Sequence, residues 1–166
     1  MKILFIGGVK SGKSRLAETA ILKHAGSIKP YYLATNECCD DEMTTRVSAH
    51  KQQRKSAFAT IEEPVKLLET LQSCERPVLV ECVTMWLNNM MYHDISEELI
   101  LAELKAVMDL PIDLVLVHNE VGSGVISDNA LARQFVDLSG KASQLIAQHC
   151  EHVYFCSAGL ALRMNQ

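Results

Sequence analysis

Short apolar runs alternate with longer amphipathic segments along almost the whole chain. The apolar runs predict strands at Ile3–Ile6, Tyr31–Ala34, Val78–Val80, Leu114–Val117 and Val153–Cys156. The segments between them have helical spacing and predict helices at Lys13–Ala25, Glu42–Arg54, Val65–Gln72, Trp86–Tyr92, Glu97–Met108 and Asn129–His149. Because apolar strands separated by helices form parallel sheets covered on both faces, the pattern predicts an α/β fold with a mostly parallel central sheet flanked by helices.

Residues that favour helix starts lie where this alternation places them. Pro64 suits the first position of its helix, and Ser96 and Asp128 suit N-caps. No linker, repeat or low-complexity stretch divides the sequence, so residues 1–166 are expected to form one domain. Ligands of such sheets bind beyond the carboxyl ends of the strands. A binding site is therefore expected among the loops 7–14, 34–41, 81–86, 118–127 and 157–160.

The first of these loops carries a phosphate-binding motif. Residues 7–14 read Gly-Gly-Val-Lys-Ser-Gly-Lys-Ser, which fits G-x-x-x-x-G-K-[ST] between a predicted strand and a predicted helix. In this motif the loop N–H groups cradle phosphate oxygens, the lysine reaches the β- and γ-phosphates, and the serine hydroxyl can ligate Mg²⁺. Triphosphate contacts are expected from Gly7, Gly8, Val9, Lys10, Ser11, Gly12, Lys13 and Ser14. Glu81, at the end of the third apolar run, is a second candidate magnesium ligand.

The predicted helix Glu42–Arg54 carries a second candidate group. Arg46, His50 and Arg54 are four residues apart and share one helix face, where three cationic groups would repel one another unless an anion lies against them. The neighbouring cations would lower the pKa of His50 and keep its imidazole neutral and nucleophilic. The residues alone leave open a second interpretation, in which His50 is an ordinary surface histidine on a charged helix.

Charge and cysteine usage limit the expected binding partners and cellular location of the protein. The net charge of −4 and pI of about 5.8 give no overall basic field for nucleic acid or an anionic membrane. The six cysteines form no C-x-x-C pair, and no signal-peptide pattern or apolar span of about 18 residues is present. A reducing, cytoplasmic location with free thiols is expected.

These features together resemble the bifunctional adenosylcobinamide kinase/adenosylcobinamide-phosphate guanylyltransferase family of cobalamin biosynthesis. The Asp-Glu-Met…Arg…His-Lys…Arg helix and the Asn-Glu-Val-Gly-x-Gly loop are its most specific motifs. The matching residues are 7–15, Tyr32-Leu33-Ala34-Thr35, Asp41-Glu42-Met43, Arg46, His50-Lys51, Arg54, Glu62, Glu81-Cys82-Val83-Thr84, Asn89, 119–124, Asn129, Leu131-Ala132-Arg133, Phe135, Gly140 and Ser157-Ala158-Gly159.

The resemblance implies a RecA-like P-loop fold, a homotrimer and two activities. The first phosphorylates the aminopropanol hydroxyl of adenosylcobinamide with ATP or GTP. The second transfers GMP from GTP to that phosphate through a guanylylated histidine, which matches His50. Lys13 is the implied catalytic partner, and Ser14 and Glu81 are the implied Mg²⁺ ligands. Further nucleotide contacts are implied for Ala34, Thr35, Asn36, Lys51, Gln52, Gln53, Arg54, Glu62 and Glu81.

Three positions depart from the family pattern: Ala49, where some members have a second histidine, Phe58, where Trp is frequent, and Leu160, where Pro is frequent. Two other functions remain open at this point. One is a monofunctional P-loop kinase that acts on another small alcohol. The other is a nucleotide-binding regulatory module without turnover.

Overall fold

The computed structural model describes residues 1–37 and 56–165. In chain order its elements are β1 (Lys2–Gly7), α1 (Lys13–Ala25), β2 (Tyr31–Ala34), β3 (Ala59–Glu62), α2 (Leu67–Gln72), β4 (Val78–Glu81), α3 (Val83–Tyr92), α4 (Glu97–Asp109), β5 (Leu114–Asn119), α5 (Ala130–His149), β6 (His152–Ser157) and β7 (Leu160–Arg163). The strands form one sheet in the order β3-β2-β4-β5-β1-β6-β7. All neighbours are parallel except β6 and β7, which are antiparallel. The predicted α/β fold with a mostly parallel sheet is confirmed.

β1 lies inside the sheet, between β5 and β6. Its last residue, Gly7, is level with Asn119 of β5 and Cys156 of β6. Across the other half of the sheet, Ala34 is level with both Glu62 and Glu81. The carboxyl ends of these parallel strands therefore form a single edge, and the phosphate-binding motif begins on it.

Two apolar layers cover the sheet. On one face, α2, α3, α4 and α5 bury a large core that includes Trp86, Leu87 and Leu104. On the other face, α1 packs Ala17 and Ile21 against alternate residues of β1 and β5. Burial on both faces explains why the inner strands are continuous apolar runs instead of alternating patterns.

All five predicted strands are present, but β3 and β7 were not predicted. β3 reads Ala-Thr-Ile-Glu and alternates only weakly between half-buried and exposed positions. β7 reads Leu-Ala-Leu-Arg, and all four residues are exposed at the edge of the sheet. Strands at the two sheet edges bury little, so their sequences carry little of the apolar signal on which strand prediction depends.

Three helix starts differ from their predictions. Pro64 lies in a turn, and α2 begins only at Leu67, because the Glu63 carboxylate accepts the N–H groups of Val65 and Lys66 at 2.9 and 2.8 Å and stabilises the turn. Helix α3 begins at Val83, three residues before the predicted start.

The N-cap of α5 is also one residue away from the predicted one. It is Asn129, whose side chain accepts the N–H groups of Leu131 and Ala132, and not Asp128. The predicted N-cap Ser96 is confirmed, since it accepts the Leu99 N–H. Helix α1 has its predicted bounds. The predicted helix Glu42–Arg54 lies outside the described residues.

Candidate functional site

The phosphate-binding loop joins β1 to α1 in a tight turn. Helix α1 begins at Lys13, directly after Gly12, and the Ser11 N–H donates to the Gly8 carbonyl at 3.2 Å. The Lys13 side chain is only 7% exposed and folds back over the loop, where its Nζ donates to the Gly8 carbonyl at 3.1 Å. The ammonium group therefore lies above loop N–H groups and the amino end of α1, an arrangement suited to bind phosphate oxygens.

Two glycines of the loop are required by close packing. Gly12 has φ +91°, and a Cβ there would lie 2.9 Å from the Cα of Gly159. A Cβ on Gly7 would collide with the Cys156 carbonyl oxygen. The Gly159 N–H donates to the Ser11 carbonyl at 2.9 Å. The turn between β6 and β7 thus supports the phosphate-binding loop from outside, a contact between distant segments that the motif itself does not reveal.

Ser14 and Glu81, the two predicted magnesium ligands, lie side by side. The Ser14 hydroxyl donates to Oε1 of Glu81 at 2.8 Å, across the gap between α1 and β4. Mg²⁺ is usually held by one or two protein oxygens together with phosphate oxygens and water. A hydroxyl and a carboxylate at hydrogen-bond distance, beside the phosphate-binding loop, fit that coordination. Among the described residues no cluster of three or more His, Cys, Asp or Glu could hold a metal by itself.

A buried network fixes the strand tips beside Glu81. The Thr35 side chain is fully buried, and its hydroxyl donates to the Cys82 carbonyl at 2.8 Å and accepts the Cys82 N–H at 2.9 Å. The amide of Asn89 donates to the carbonyls of Thr35 and Pro64 at 2.7 and 2.9 Å. Asn89 therefore ties α3 to the ends of β2 and β3. Spacing along the chain could not predict this, because the partners of Asn89 are 54 and 25 residues away.

The predicted contacts of this region are close together in space. Ala34 is flanked in register by Glu62 and Glu81, and Thr35 and Asn36 continue from it. The Thr35 hydroxyl is engaged with Cys82, its N–H donates to the Glu81 carbonyl at 3.1 Å, and its carbonyl accepts from Asn89. The roles predicted for these residues toward the nucleotide stay predictions.

His118, at the end of β5, is a buried histidine that sequence reasoning did not identify. Its Nδ1 lies 3.2 Å from the Thr84 hydroxyl and its Nε2 lies 2.9 Å from the Ser139 hydroxyl. The Asn119 N–H donates to the Thr84 oxygen at 2.7 Å. Burial lowers the pKa of His118 from 6.5 to about 4, so the ring is neutral at physiological pH. We assign the proton to Nε2, which leaves Nδ1 to accept from Thr84.

A family model described as "Cobinamide kinase / cobinamide phosphate guanyltransferase" matches residues 3–164. The chain belongs to the cobinamide kinase/cobinamide phosphate guanyltransferase family. Two curated relatives support this assignment over nearly their full lengths. The bifunctional adenosylcobalamin biosynthesis protein CobP of Pseudomonas aeruginosa is 39% identical, with 99% of this chain and 98% of the relative covered. The bifunctional adenosylcobalamin biosynthesis protein CobU of Escherichia coli is 33% identical, with 99% of this chain and 100% of the relative covered.

Solved structures show the fold of this cobinamide kinase/guanyltransferase family member. An ATPase from the type III secretion system of pathogenic bacteria superposes with a TM-score of 0.53 at 11% identity, covering 98% of this chain and 56% of the other. The flagellar accessory protein FlaH of Methanocaldococcus jannaschii gives 0.51 at 12% identity, covering 93% and 70%. The P-loop NTPase fold predicted from the motif is confirmed.

Some predicted site residues of this family member lie outside the described part of the chain. They are His50, Lys51, Gln52, Gln53 and Arg54. The nucleophilic role of His50 therefore stays a prediction that rests on the motif Asp-Glu-Met…Arg…His-Lys…Arg.

The described cysteines do not offer an alternative nucleophile. Cys74, Cys82, Cys150 and Cys156 are all free thiols and all buried. Burial raises the pKa of Cys82 to about 11 and that of Cys150 to about 12. Since the thiolate is the reactive form, these thiols are unreactive at neutral pH. Within the described segments no helix is both long and apolar enough to span a membrane.

Proposed function

We propose that the protein phosphorylates adenosylcobinamide with ATP or GTP and then transfers GMP from GTP to that phosphate through His50. The observation that carries the proposal is the pairing of Ser14 with Glu81 beside the Lys13 phosphate-binding loop, in a chain that matches its family model from residue 3 to residue 164. Both activities need one triphosphate site, and residues 1–166 would supply it as a single domain.

In the kinase step the chain would act mainly by positioning. The acceptor oxygen forms a bond to the γ-phosphorus while the bond from that phosphorus to the β-phosphate oxygen breaks. Loop N–H groups and Lys13 would stabilise the charge that develops on the leaving nucleoside diphosphate. Ser14 and Glu81 would hold Mg²⁺, whose charge would reduce repulsion among the phosphate oxygens.

In the guanylyl step, a neutral ring nitrogen of His50 would attack the α-phosphorus of GTP. A P–N bond forms, the bond from the α-phosphorus to the bridging oxygen breaks, and pyrophosphate leaves with that electron pair. The phosphate of the acceptor then attacks the same phosphorus, and the P–N bond breaks to release neutral His50. Arg46, Lys51 and Arg54 would neutralise the α-phosphate.

Three further features belong to this proposal: a homotrimeric assembly, dependence on Mg²⁺ and a cytoplasmic location. The first is supported by the family resemblance, the second by the Ser14–Glu81 pair, and the third by the buried free thiols. The described surface also exposes apolar side chains at Leu160 and Leu162, which are 74% and 70% exposed and compatible with a subunit contact.

Labelled GTP tests the proposal. The protein is incubated with Mg²⁺ and GTP that carries the label at the α- or the γ-phosphate, and the denatured protein is then counted. We expect α-label bound covalently, stable in base and released in acid, and no γ-label. The His50→Ala variant and a sample with EDTA are expected to retain none, whereas His149→Ala, at the opposite end of the sheet, serves as the matched control and should label normally.

The outcome separates the candidate functions. Phosphorylation of adenosylcobinamide without covalent α-label would leave a monofunctional kinase. Nucleotide binding with neither label transfer nor turnover would leave a regulatory module. Full α-labelling of His50→Ala would overturn the assignment of the nucleophile.

A further inference from the structure

A small pocket lies between the end of β5 and the middle of α5, beside the phosphate-binding loop. Its volume is about 50 Å³, it is partly open to solvent, and its lining includes His118, Glu120, Ser139 and Gly140. The Glu120 N–H donates to the carbonyl of Gly7 at 3.0 Å, so the pocket adjoins the first residue of the loop. It therefore lies at the edge of the sheet at which the triphosphate is expected.

Gly140 lines this pocket. It lies within the 20-residue helix α5, where glycine destabilises a helix by roughly 0.5–1 kcal/mol relative to alanine. Its φ is not positive, and a Cβ at this position would meet no atom within 4 Å. Neither backbone conformation nor packing thus requires glycine here. Gly140 does, however, line the pocket, and a side chain there would meet open space, so a large residue could extend into it.

The lining combines apolar walls with hydrogen-bonding groups. Ile6 and Val136 supply apolar surface, and Ser139 and Ser143 supply hydroxyls, of which the Ser143 hydroxyl donates to the Gly140 carbonyl at 2.9 Å and can still accept. The Ser139 oxygen is buried and accepts from Nε2 of His118, so its own hydrogen is free to be donated. Such a lining suits a short aliphatic chain that ends in a hydroxyl or an amide.

Glu120 adds an ionised carboxylate to the rim. Partial burial works to raise its pKa, but hydrogen bonds from Ser123 and Gly122 outweigh that effect and lower the pKa below its usual value. The Gly122 N–H donates to Oε1 at 2.7 Å and the Ser123 N–H to Oε2 at 3.3 Å. Each carboxylate oxygen retains a lone pair for a further donor. Glu120 can therefore accept a hydrogen bond from a hydroxyl in the pocket.

We propose that this pocket receives the alcohol arm of the kinase acceptor and that Glu120 orients its hydroxyl toward the γ-phosphate. The inference rests on the proposed function. Pockets that enclose whole drug-sized ligands are about 300–1,000 Å³, whereas this one is about 50 Å³, so it admits only a short arm while the macrocycle stays outside. As the acceptor oxygen bonds to phosphorus, its O–H bond breaks and the proton passes to the Glu120 carboxylate.

Gly140→Leu tests the pocket. The side chain would fill it, so we expect the KM for adenosylcobinamide in the kinase step to rise at least tenfold. The KM for ATP and the covalent labelling from α-labelled GTP should be unchanged. Gly140→Ala is the matched control: it makes the same glycine replacement in the helix but adds only one methyl group, and its acceptor KM should change less than threefold. Neither variant should lower the midpoint of thermal unfolding, since both improve helix propensity.

Glu120→Gln tests the carboxylate. The amide oxygen can still accept an N–H from the loop, but the side chain is a far weaker proton acceptor, so we expect the kinase kcat to fall by about 10²-fold, the scale of general base catalysis. The acceptor KM should change little. Glu75→Gln, an exposed glutamate just before β4, is the control and should keep the wild-type kcat.

The wild-type assay separates this inference from the proposed function. If the wild-type protein does not phosphorylate adenosylcobinamide, the kinase half of the proposed function fails, and the pocket assignment fails with it. If the wild-type protein does, but Gly140→Leu keeps the wild-type acceptor KM, the pocket assignment alone is overturned. An unchanged kcat in Glu120→Gln would remove the role of the Glu120 carboxylate as the proton acceptor.

Discussion

His118 is a residue whose charge state is set entirely by its surroundings. Two hydroxyls occupy its ring nitrogens, and the side chain is almost wholly buried between β5 and α5. The folded protein thus holds the neutral ring, whereas the unfolded chain would bind a proton near pH 6.5. Protonation therefore favours the unfolded state wherever the pH lies between these two pKa values.

We expect His118 to make the protein acid-sensitive. Its folded-state pKa is lowered, so its contribution to stability is complete above pH 6.5 and is lost as the pH falls from 6.5 toward about 4. Between pH 7 and pH 5 this single group should reduce the free energy of unfolding by about 2 kcal/mol. Urea unfolding at both pH values measures the change, and His118→Asn should flatten it by about that amount.

The other histidines are the same in both proteins, so their contributions cancel in this comparison. A variant that loses as much stability on acidification as the wild type would show that the pKa of His118 is not lowered in the fold. His118→Asn itself should be less stable at pH 7, because it gives up a buried side chain with two hydrogen bonds.

Individual residues show which parts of the site could be predicted from the sequence and which could not. The motif predicted the places of Lys13 and Ser14, because the chemistry of a phosphate-binding loop depends on residues adjacent in the chain. Glu81 was predicted as a magnesium ligand together with Ser14, because it ends a predicted strand at the sheet edge that carries the phosphate-binding loop. The hydrogen-bond networks of Asn89 and His118 were not predicted, because their partners lie on other elements and produce no regular spacing in the sequence.

At the scale of elements, helix α5 contributes to the pocket and bounds the loop that contains Glu120. Ser139 and Gly140 line the pocket from its middle, and its amino end follows directly on the loop that contains Glu120. The position of this helix start determines where that loop ends. The N-cap of α5, Asn129, therefore contributes to the geometry of the pocket as well as to the stability of the helix.

Asn129→Ala should destabilise the protein by about 1 kcal/mol, the usual cost of removing an N-cap side chain. Its oxygen accepts two N–H groups at 2.8 and 3.1 Å, and alanine would leave both without that partner. Asp128→Ala is the matched control, since no hydrogen bond from the Asp128 side chain caps α5. Chemical unfolding of the two variants shows which residue caps the helix. A larger loss of unfolding free energy for Asp128→Ala would identify Asp128, the N-cap predicted from the sequence.

Element prediction succeeded where burial was strongest. The inner strands β1, β4 and β5 and the helix α1 follow from apolar patterns that the core requires. The edge strands β3 and β7 and the start of α2 depend on pairing with a neighbour or on a side-chain turn. These are interactions between segments, and hydrophobic periodicity does not report them.

On the scale of the whole molecule, the site draws on elements from both halves of the sheet. The loop after β1, the tip of β4 and the turn between β6 and β7 meet through the contacts of Ser14 with Glu81 and of Ser11 with Gly159. A ligand bound there contacts the folded arrangement and not the unfolded chain. Its binding free energy therefore adds to the stability of the whole protein.

Saturating Mg²⁺ and GTP should raise the free energy of unfolding. At a ligand concentration of 100 times Kd the expected gain is about 2.7 kcal/mol. Lys13→Ala removes the ammonium that lies over the loop and should abolish most of this gain, whereas Lys105→Ala, on the exposed side of α4, should keep it. Thermal unfolding with and without nucleotide measures both. An unreduced gain in Lys13→Ala would contradict the assignment of the phosphate-binding loop.

The contact between Gly12 and Gly159 has a consequence for the order of synthesis. The ribosome completes the phosphate-binding loop early, but the strands that flank β1 and the turn that supports the loop are made more than a hundred residues later. A nascent chain that stops before Gly159 has the motif without the packing that shapes it. We therefore expect nucleotide binding to become tight only once the β6–β7 hairpin has been made, and a chain truncated before Gly159 to bind GTP more weakly than the full chain.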